Sequence, residues 1–357
     1  MLIATVVGNR PQFVKAAAVS SKLRQAHQEL LVHTGQHYDD QLSRIFFDEL
    51  GIPAPDRQLD VHGGTNSEQT ARMLAALATV FAEVAPERVL VYGDTNSTLA
   101  GALAAAQMRI PVAHVEAGMR SFDRAMPEEL NRVLADHASD LFFCSTSTAV
   151  DNLAAEGIRD NVHLVGDVMA DLALSFLPVA EERSMALEDN DVQPGEYLLM
   201  TVHRAGNVDV HERLERVVEL AEQLPLPAVF PVHPRTRARL RAAGLEERLE
   251  ATVRVTQPLG YLDFLKLANH ARALVTDSGG VQKEAYLLGT PCVTLRDTTE
   301  WVETIELGWN RLVDLEVDAA LDALARPSPP AERPELYGGG HAAERIRDVL
   351  AAYTHTR

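Results

Sequence analysis

Cysteine is nearly absent from this chain of 357 residues: Cys144 and Cys292 are the only two, and both lie in short apolar runs. Two thiols so placed argue against a disulfide-stapled scaffold and read as buried, reduced side chains of a cytoplasmic protein. Long apolar stretches are missing too. None approaches the ~18 residues that a membrane helix needs. Met1 leads straight into Leu2-Ile3-Ala4-Thr5-Val6-Val7 with no basic segment or cleavage site, so neither a membrane span nor a signal peptide is expected. Cations are scarce, with Lys plus Arg at 33 against Asp plus Glu at 51 and a formal charge of −18. That balance argues against nucleic acid as a partner, because such binding rests on basic side chains neutralising phosphates. An anionic ligand would need cations placed locally against the overall field. Ready-made cofactor motifs are also lacking. There is no His-Glu-x-x-His, no paired Cys-x-x-Cys, no P-loop lysine motif, and no Gly-x-Gly-x-x-Gly after the first strand. No metal and no ATP or NAD cofactor is expected.

What is present is an ordinary globular composition, 46% hydrophobic and 24% charged, over a length that suits roughly two domains. Short apolar runs at 2–7, 29–34, 88–92, 110–115, 140–144 and 162–165 read as strands. Helix-compatible segments at 13–23, 39–50, 66–84, 97–108 and from Pro127 onward separate most of them. The alternation weakens into a charged stretch between 167 and 195, then resumes with strands at 197–202, 228–232, 252–256, 273–276 and 292–295. The expected architecture is α/β: two Rossmann-like doubly wound domains, 1–167 and 168–357, facing across a cleft lined by strand ends. The second is expected to finish in a helix at 342–352. A stiff connector (Arg326-Pro327-Ser328-Pro329-Pro330) and a flexible joint (Gly338-Gly339-Gly340) precede it.

Polar residues gather where those strands end. Asp277-Ser278-Gly279-Gly280 follows a buried strand and opens a helix, a turn that points backbone N–H groups at an anion with no Cβ in the way. Ser278 adds a hydroxyl there, and Glu284 further along the helix suits the two hydroxyls of a ribose. The other strand ends carry Gly8-Asn9-Arg10, Gly93-Asp94-Thr95, His114 with Glu116, Thr201-Val202-His203-Arg204, and His233. Each has an ordinary explanation. Asp94 caps a helix, Glu128 complements a helix dipole beside Pro127, Arg10 and Lys15 are solvated, and His203 and His233 are core imidazoles. Their joint location is what points to a site.

The same segments resemble the non-hydrolysing UDP-N-acetylglucosamine 2-epimerases across essentially the whole chain. The matching pieces include Gly8-Asn9-Arg10-Pro11-Gln12-Phe13-Val14-Lys15, Thr34-Gly35-Gln36-His37, Gly93-Asp94-Thr95-Asn96-Ser97-Thr98 and His114-Val115-Glu116-Ala117-Gly118. Further on come Pro127-Glu128-Glu129-Leu130-Asn131-Arg132, Thr201-Val202-His203-Arg204, Pro231-Val232-His233-Pro234 and Arg296-Asp297-Thr298-Thr299-Glu300. The resemblance implies a GT-B-like fold, a homodimer, and interconversion of UDP-GlcNAc and UDP-ManNAc for cell-surface polysaccharide precursors. UDP leaves to give 2-acetamidoglucal and then adds back. It assigns acid/base work to Asp94, Glu116 and Glu128, with His203 near the diphosphate. It gives UDP-sugar contacts to Arg10, Lys15, Phe264, Ser278, Gly279, Gly280 and Glu284. Which carboxylate takes the C2 proton stays open.

Two departures matter. Many relatives have Arg-Pro-Glu where this chain has Trp301-Val302-Glu303, and some have glutamine where it has Leu259. With Gln36-His37-Tyr38-Asp39, these features also resemble the branch that epimerises UDP-2,3-diacetamido-2,3-dideoxyglucuronate. The segment after His37 departs from members activated by a second substrate molecule. A GT-B glycosyltransferase, or a hydrolase of the same branch, are the remaining alternatives.

Overall fold

The computed structural model describes residues 1–36, 54–326, 329 and 332–353, apart from the side chain of Arg10. His37 and the helix expected at 39–50 lie outside the described residues, as do Pro327, Ser328 and Pro330 of the connector. Two compact units emerge, 1–172 with 335–357, and 173–334.

The first unit holds a seven-stranded parallel sheet: β1 (Leu2–Val7), β2 (Gln28–His33), β3 (Arg57–Gln58), β4 (Arg88–Tyr92), β5 (Val112–Val115), β6 (Leu141–Cys144) and β7 (Val162–Leu164). The spatial order is β3-β2-β1-β4-β5-β6-β7, so the winding reverses between β1 and β4. The second unit repeats the plan with β8 (Leu198–Thr201), β9 (Ala228–Pro231), β10 (Arg254–Thr256), β11 (Ala273–Thr276), β12 (Cys292–Thr294) and β13 (Asn310–Leu312). Its order is β10-β9-β8-β11-β12-β13, reversing between β8 and β11. Ligands of open α/β sheets bind at such reversals, beyond the carboxyl ends of the strands.

The second sheet shows why its central strands are largely apolar. Met200, Phe230, Val275 and Val293 point into one core cluster, and Leu199, Val229, Leu274 and Cys292 point into another on the opposite face. Side chains alternate between faces, and both faces are covered, so no polar half-strand is tolerated.

The division between units falls within the charged stretch between 167 and 195, inside the helix Val168–Arg183. Two local readings change. The final helix, Ala342–Ala352, belongs to the first unit rather than the second. The Asp171 carboxylate accepts its first N–H groups from Ala342 and Ala343 at 3.0 and 2.7 Å, and Lys22 pairs with Glu344 at 2.7 Å. Nor is the glycine joint free: the Tyr337 carbonyl accepts from Asp167 N–H at 2.9 Å, and Gly166 and Gly338 approach too closely for a Cβ on either.

Candidate active site

In the first unit the site is built on the winding reversal between β1 and β4. Asn9 caps the helix Arg10–Leu23, its carboxamide accepting from Gln12 N–H at 3.2 Å. Gln12 is buried and ties the two turns together. Its oxygen accepts from Gly8 N–H at 2.8 Å, and its amide donates to the Tyr92 carbonyl at 2.7 Å. Six residues into that helix, Lys15 is ion-paired with Glu116. Glu116 follows β5 with a left-handed backbone, φ 65°, and is buried apart from a small exposed fraction. A non-glycine residue held there costs of order 1–3 kcal/mol, a strain that concentrates at functional sites. Gly93, φ 62°, closes β4 against this pair: a Cβ there would lie 3.3 Å from Glu116 Oε2 and 3.4 Å from Lys15 Nζ.

Asp94 comes next and does not cap the following helix. Thr95 does that, through a reciprocal box with Thr98. The Asp94 carboxylate instead pairs with Arg132, while its carbonyl accepts from Asn131 at 3.0 Å. Arg132 lies four residues after Glu128 on the helix Pro127–His137, on the same side of it. Glu128 is exposed, whereas Glu129 is buried and accepts from Ser121 and Phe122 N–H at 2.8 and 3.0 Å. Two carboxylates therefore end adjacent strands, each matched to its own cation from a helix, with a third, solvent-facing carboxylate one turn from Arg132.

Beneath them runs a buried ionic chain. His114 sits between the Gly93 carbonyl and the Asp136 carboxylate, both at 2.7 Å. Asp136 also meets Arg120 at 2.7 Å, and Arg120 continues to Glu156 at 2.7 Å. Burial alone would raise the Asp136 carboxyl, but His114 and Arg120 outweigh it and hold it below the usual carboxylate range.

The second unit presents a different set. Asp277, fully buried at the end of β11, accepts from the N–H groups of His203 and Arg204 at 3.1 and 2.9 Å and from the Asn207 amide at 3.1 Å. It lies 3.5 Å from His203 Nδ1 and so orients that ring. His203 is exposed and sits beside His233, ring centroids 6.0 Å apart; neither is a core imidazole. Ser278 occupies the N-cap position of the helix Gly279–Leu288, but its hydroxyl makes no capping bond. Gly280 faces open space, with nothing nearer to a Cβ than Ser278 Oγ at 4.0 Å. A Cβ on Gly279 would lie 3.5 Å from Glu300 Oε2 and 3.6 Å from Trp301 Nε1. Arg296 holds Glu300 in a two-pronged bond at 3.0 and 3.1 Å. Glu284 is buried within its helix, and Phe264 packs half-buried against the core cluster of Leu199 and Val229.

The family model described as UDP-N-acetylglucosamine 2-epimerase matches residues 21–351. The chain belongs to that family. As a sugar-nucleotide 2-epimerase it is an isomerase, and its fold is the GT-B-like arrangement of that family's solved structures. The epimerase is 46% identical over 354 residues to a UDP-N-acetylglucosamine 2-epimerase homolog of Methanococcus maripaludis, covering 98% of this chain and 99% of the relative. It is 47% identical over 364 residues to the UDP-2,3-diacetamido-2,3-dideoxy-D-glucuronate 2-epimerase of Pseudomonas aeruginosa, with the same coverage. The crystal structure of the Methanocaldococcus jannaschii UDP-GlcNAc 2-epimerase, in complex with UDP-GlcNAc and UDP, superposes with a TM-score of 0.90. The two are 39% identical, over 99% of this chain and 100% of the other.

Arg132, Asp136 and Arg120 join the site although the strand-end pattern does not single them out. Helical spacing held a usable signal for two of them, because Glu128, Arg132 and Asp136 recur every four residues. Among the described residues no group of three His, Cys, Asp or Glu side chains is arranged to hold a metal, and no helix is long and apolar enough to cross a membrane.

Proposed function

We propose that the epimerase interconverts UDP-N-acetylglucosamine and UDP-N-acetylmannosamine. The observation that carries this reading is the pair of carboxylates, Asp94 and Glu116, ending the adjacent strands β4 and β5 beside the first winding reversal, with Glu116 in a strained backbone. The C2 proton of an N-acetylhexosamine is not acidic by itself. As the C1–O bond to UDP breaks, positive charge on the ring acidifies C2. A carboxylate takes the proton, and C1=C2 forms as 2-acetamidoglucal. UDP then adds back at C1 while a proton reaches C2 from the other face. Two faces call for more than one acid/base group, which Asp94, Glu116 and the solvent-facing Glu128 supply. The leaving diphosphate needs donors aimed where its charge grows. The Ser278 hydroxyl, the open Gly279-Gly280 turn and His203, oriented by Asp277, offer them. Arg10 and Lys15 add positive charge on the sugar side, and Phe264 and Glu284 take the uracil and ribose.

A second reading keeps the same chemistry on UDP-2,3-diacetamido-2,3-dideoxyglucuronate. It is favoured by Trp301, whose indole N–H lies beside Gly279, and by the Pseudomonas aeruginosa relative. Offering both sugar nucleotides and analysing products separates the readings. The first predicts the manno epimer of UDP-GlcNAc at the higher kcat/KM. Free N-acetylmannosamine would mean a hydrolase, and sugar transfer to an acceptor a glycosyltransferase.

We also propose a cytoplasmic homodimer feeding polysaccharide precursor synthesis. The dimer is supported by exposed apolar side chains in the first unit: Leu130 and Leu134, four residues apart on the helix Pro127–His137, and Phe122, 76% exposed. A second copy would cover them symmetrically. Light scattering should give twice the 39.1 kDa chain mass for the protein and the single mass for a Leu130→Glu/Leu134→Glu variant. A monomer before mutation refutes the dimer.

A further inference from the structure

We propose that His114 and Asp136 are positioning residues that lock the turns carrying Asp94 and Glu116 into one rigid piece. The inference rests on the reading of those two carboxylates given above.

β4 and β5 lie side by side, with Val91 opposite His114 and Tyr92 opposite Val115. Beyond their ends both strands turn through left-handed backbone: Gly93 on one, Glu116 and Gly118 on the other. A direct backbone tie between the turns runs from Gly93 N–H to the Val115 carbonyl at 2.9 Å. The two side chains add to it. His114 Nε2 meets the carbonyl of Gly93, the residue before Asp94. Asp136 takes His114 Nδ1 on one oxygen and Gly118 N–H on the other at 3.1 Å, two residues after Glu116. Both side chains are fully buried.

Both ring nitrogens are engaged, Nε2 by the Gly93 carbonyl and Nδ1 by the Asp136 carboxylate, which Arg120 also holds at 2.7 Å. A buried ring that bonds both turns at once resists the small displacements to which acid/base geometry is sensitive.

The test replaces His114 with glutamine, which lacks the ring that bonds both turns. Expected is a fall in kcat of about 100-fold, the size of effect a misplacement near 1 Å produces, with UDP affinity unchanged. Exchange of the C2 proton with solvent should fall in step with kcat. Asp94→Asn is run beside it. Wild-type kcat in His114→Gln with an inactive Asp94→Asn overturns the positioning role and leaves the catalytic reading standing. Wild-type kcat in Asp94→Asn removes both. A loss of UDP affinity equal to the loss of kcat would mark a general structural defect and also overturn the proposal. Should the variant not fold, nuclear magnetic resonance of histidine-labelled wild-type protein decides near neutral pH. A ring N–H of His114 protected from exchange with solvent supports the proposal, and a freely exchanging ring overturns it.

Discussion

Replacing Asp94 with asparagine is expected to lower turnover by about a thousandfold, the middle of the range for loss of a general acid or base. The fold should survive. Asp94 is half-buried rather than enclosed, and asparagine still offers Arg132 a carbonyl oxygen at the same reach. Arg132 also keeps the Glu129 carboxylate at 3.4 Å, so the substitution does not strand a buried cation. Circular dichroism and UDP binding should therefore match the parent protein, and the whole loss should fall on kcat. An ordinary helix cap would behave otherwise. Capping the helix Asn96–Gln107 is the work of Thr95, so a stability loss without a turnover loss is not expected at Asp94. Asp94→Asn with parental turnover would take this carboxylate out of the mechanism.

The largest expected effect on stability is at Gly118. Its φ of 78° lies where a side chain costs roughly 1–2 kcal/mol. A Cβ would also be driven into the carbonyl oxygen of Ala149 and within 3.0 Å of Leu153 Cγ. Ala149 belongs to the helix Ser147–Ala155, so relief requires moving a helix backbone rather than a side-chain tip. Overpacking of that kind adds about 1–3 kcal/mol. Gly118→Ala should lose about 3 kcal/mol by urea titration, with activity falling as well, because Gly118 N–H is bound to Asp136 two residues from Glu116. A loss under about 1 kcal/mol would mean that the turn is softer than its contacts suggest.

How far the sequence could be read follows from the same physics. Strands covered on both faces must be apolar from end to end. Val89-Leu90-Val91-Tyr92 and Ala273-Leu274-Val275-Thr276 are therefore visible without a structure. Edge strands obey no such rule. β3 is two exposed residues, Arg57 and Gln58, and β13 reads Asn310-Arg311-Leu312; neither carries a pattern that marks a strand. The helix Val168–Arg183 shows no clear period in the sequence because Pro178 and a charged end interrupt it. The placement of the final helix depends on Asp171, far away in sequence, which no local signal encodes. The site divides in the same way. Turn residues such as Gly93-Asp94 and Ser278-Gly279-Gly280 announce themselves, because glycine beside a polar side chain after an apolar run has few other uses. Their supports do not. Arg132 stands 38 residues from Asp94, Asp136 22 from His114, and Asp277 74 from His203. Each looks like an ordinary charged residue until the fold brings its partner alongside.

The central claim is that a carboxylate of the first unit removes the proton from C2 while UDP departs. Incubation in D2O tests it most directly. The epimerase supplied with UDP-N-acetylglucosamine should return both epimers carrying deuterium at C2, incorporated at the rate of epimerisation, and Asp94→Asn should lower incorporation and epimerisation together by about a thousandfold. Epimer formed with C2 still protonated, or no exchange with either sugar nucleotide, would contradict it.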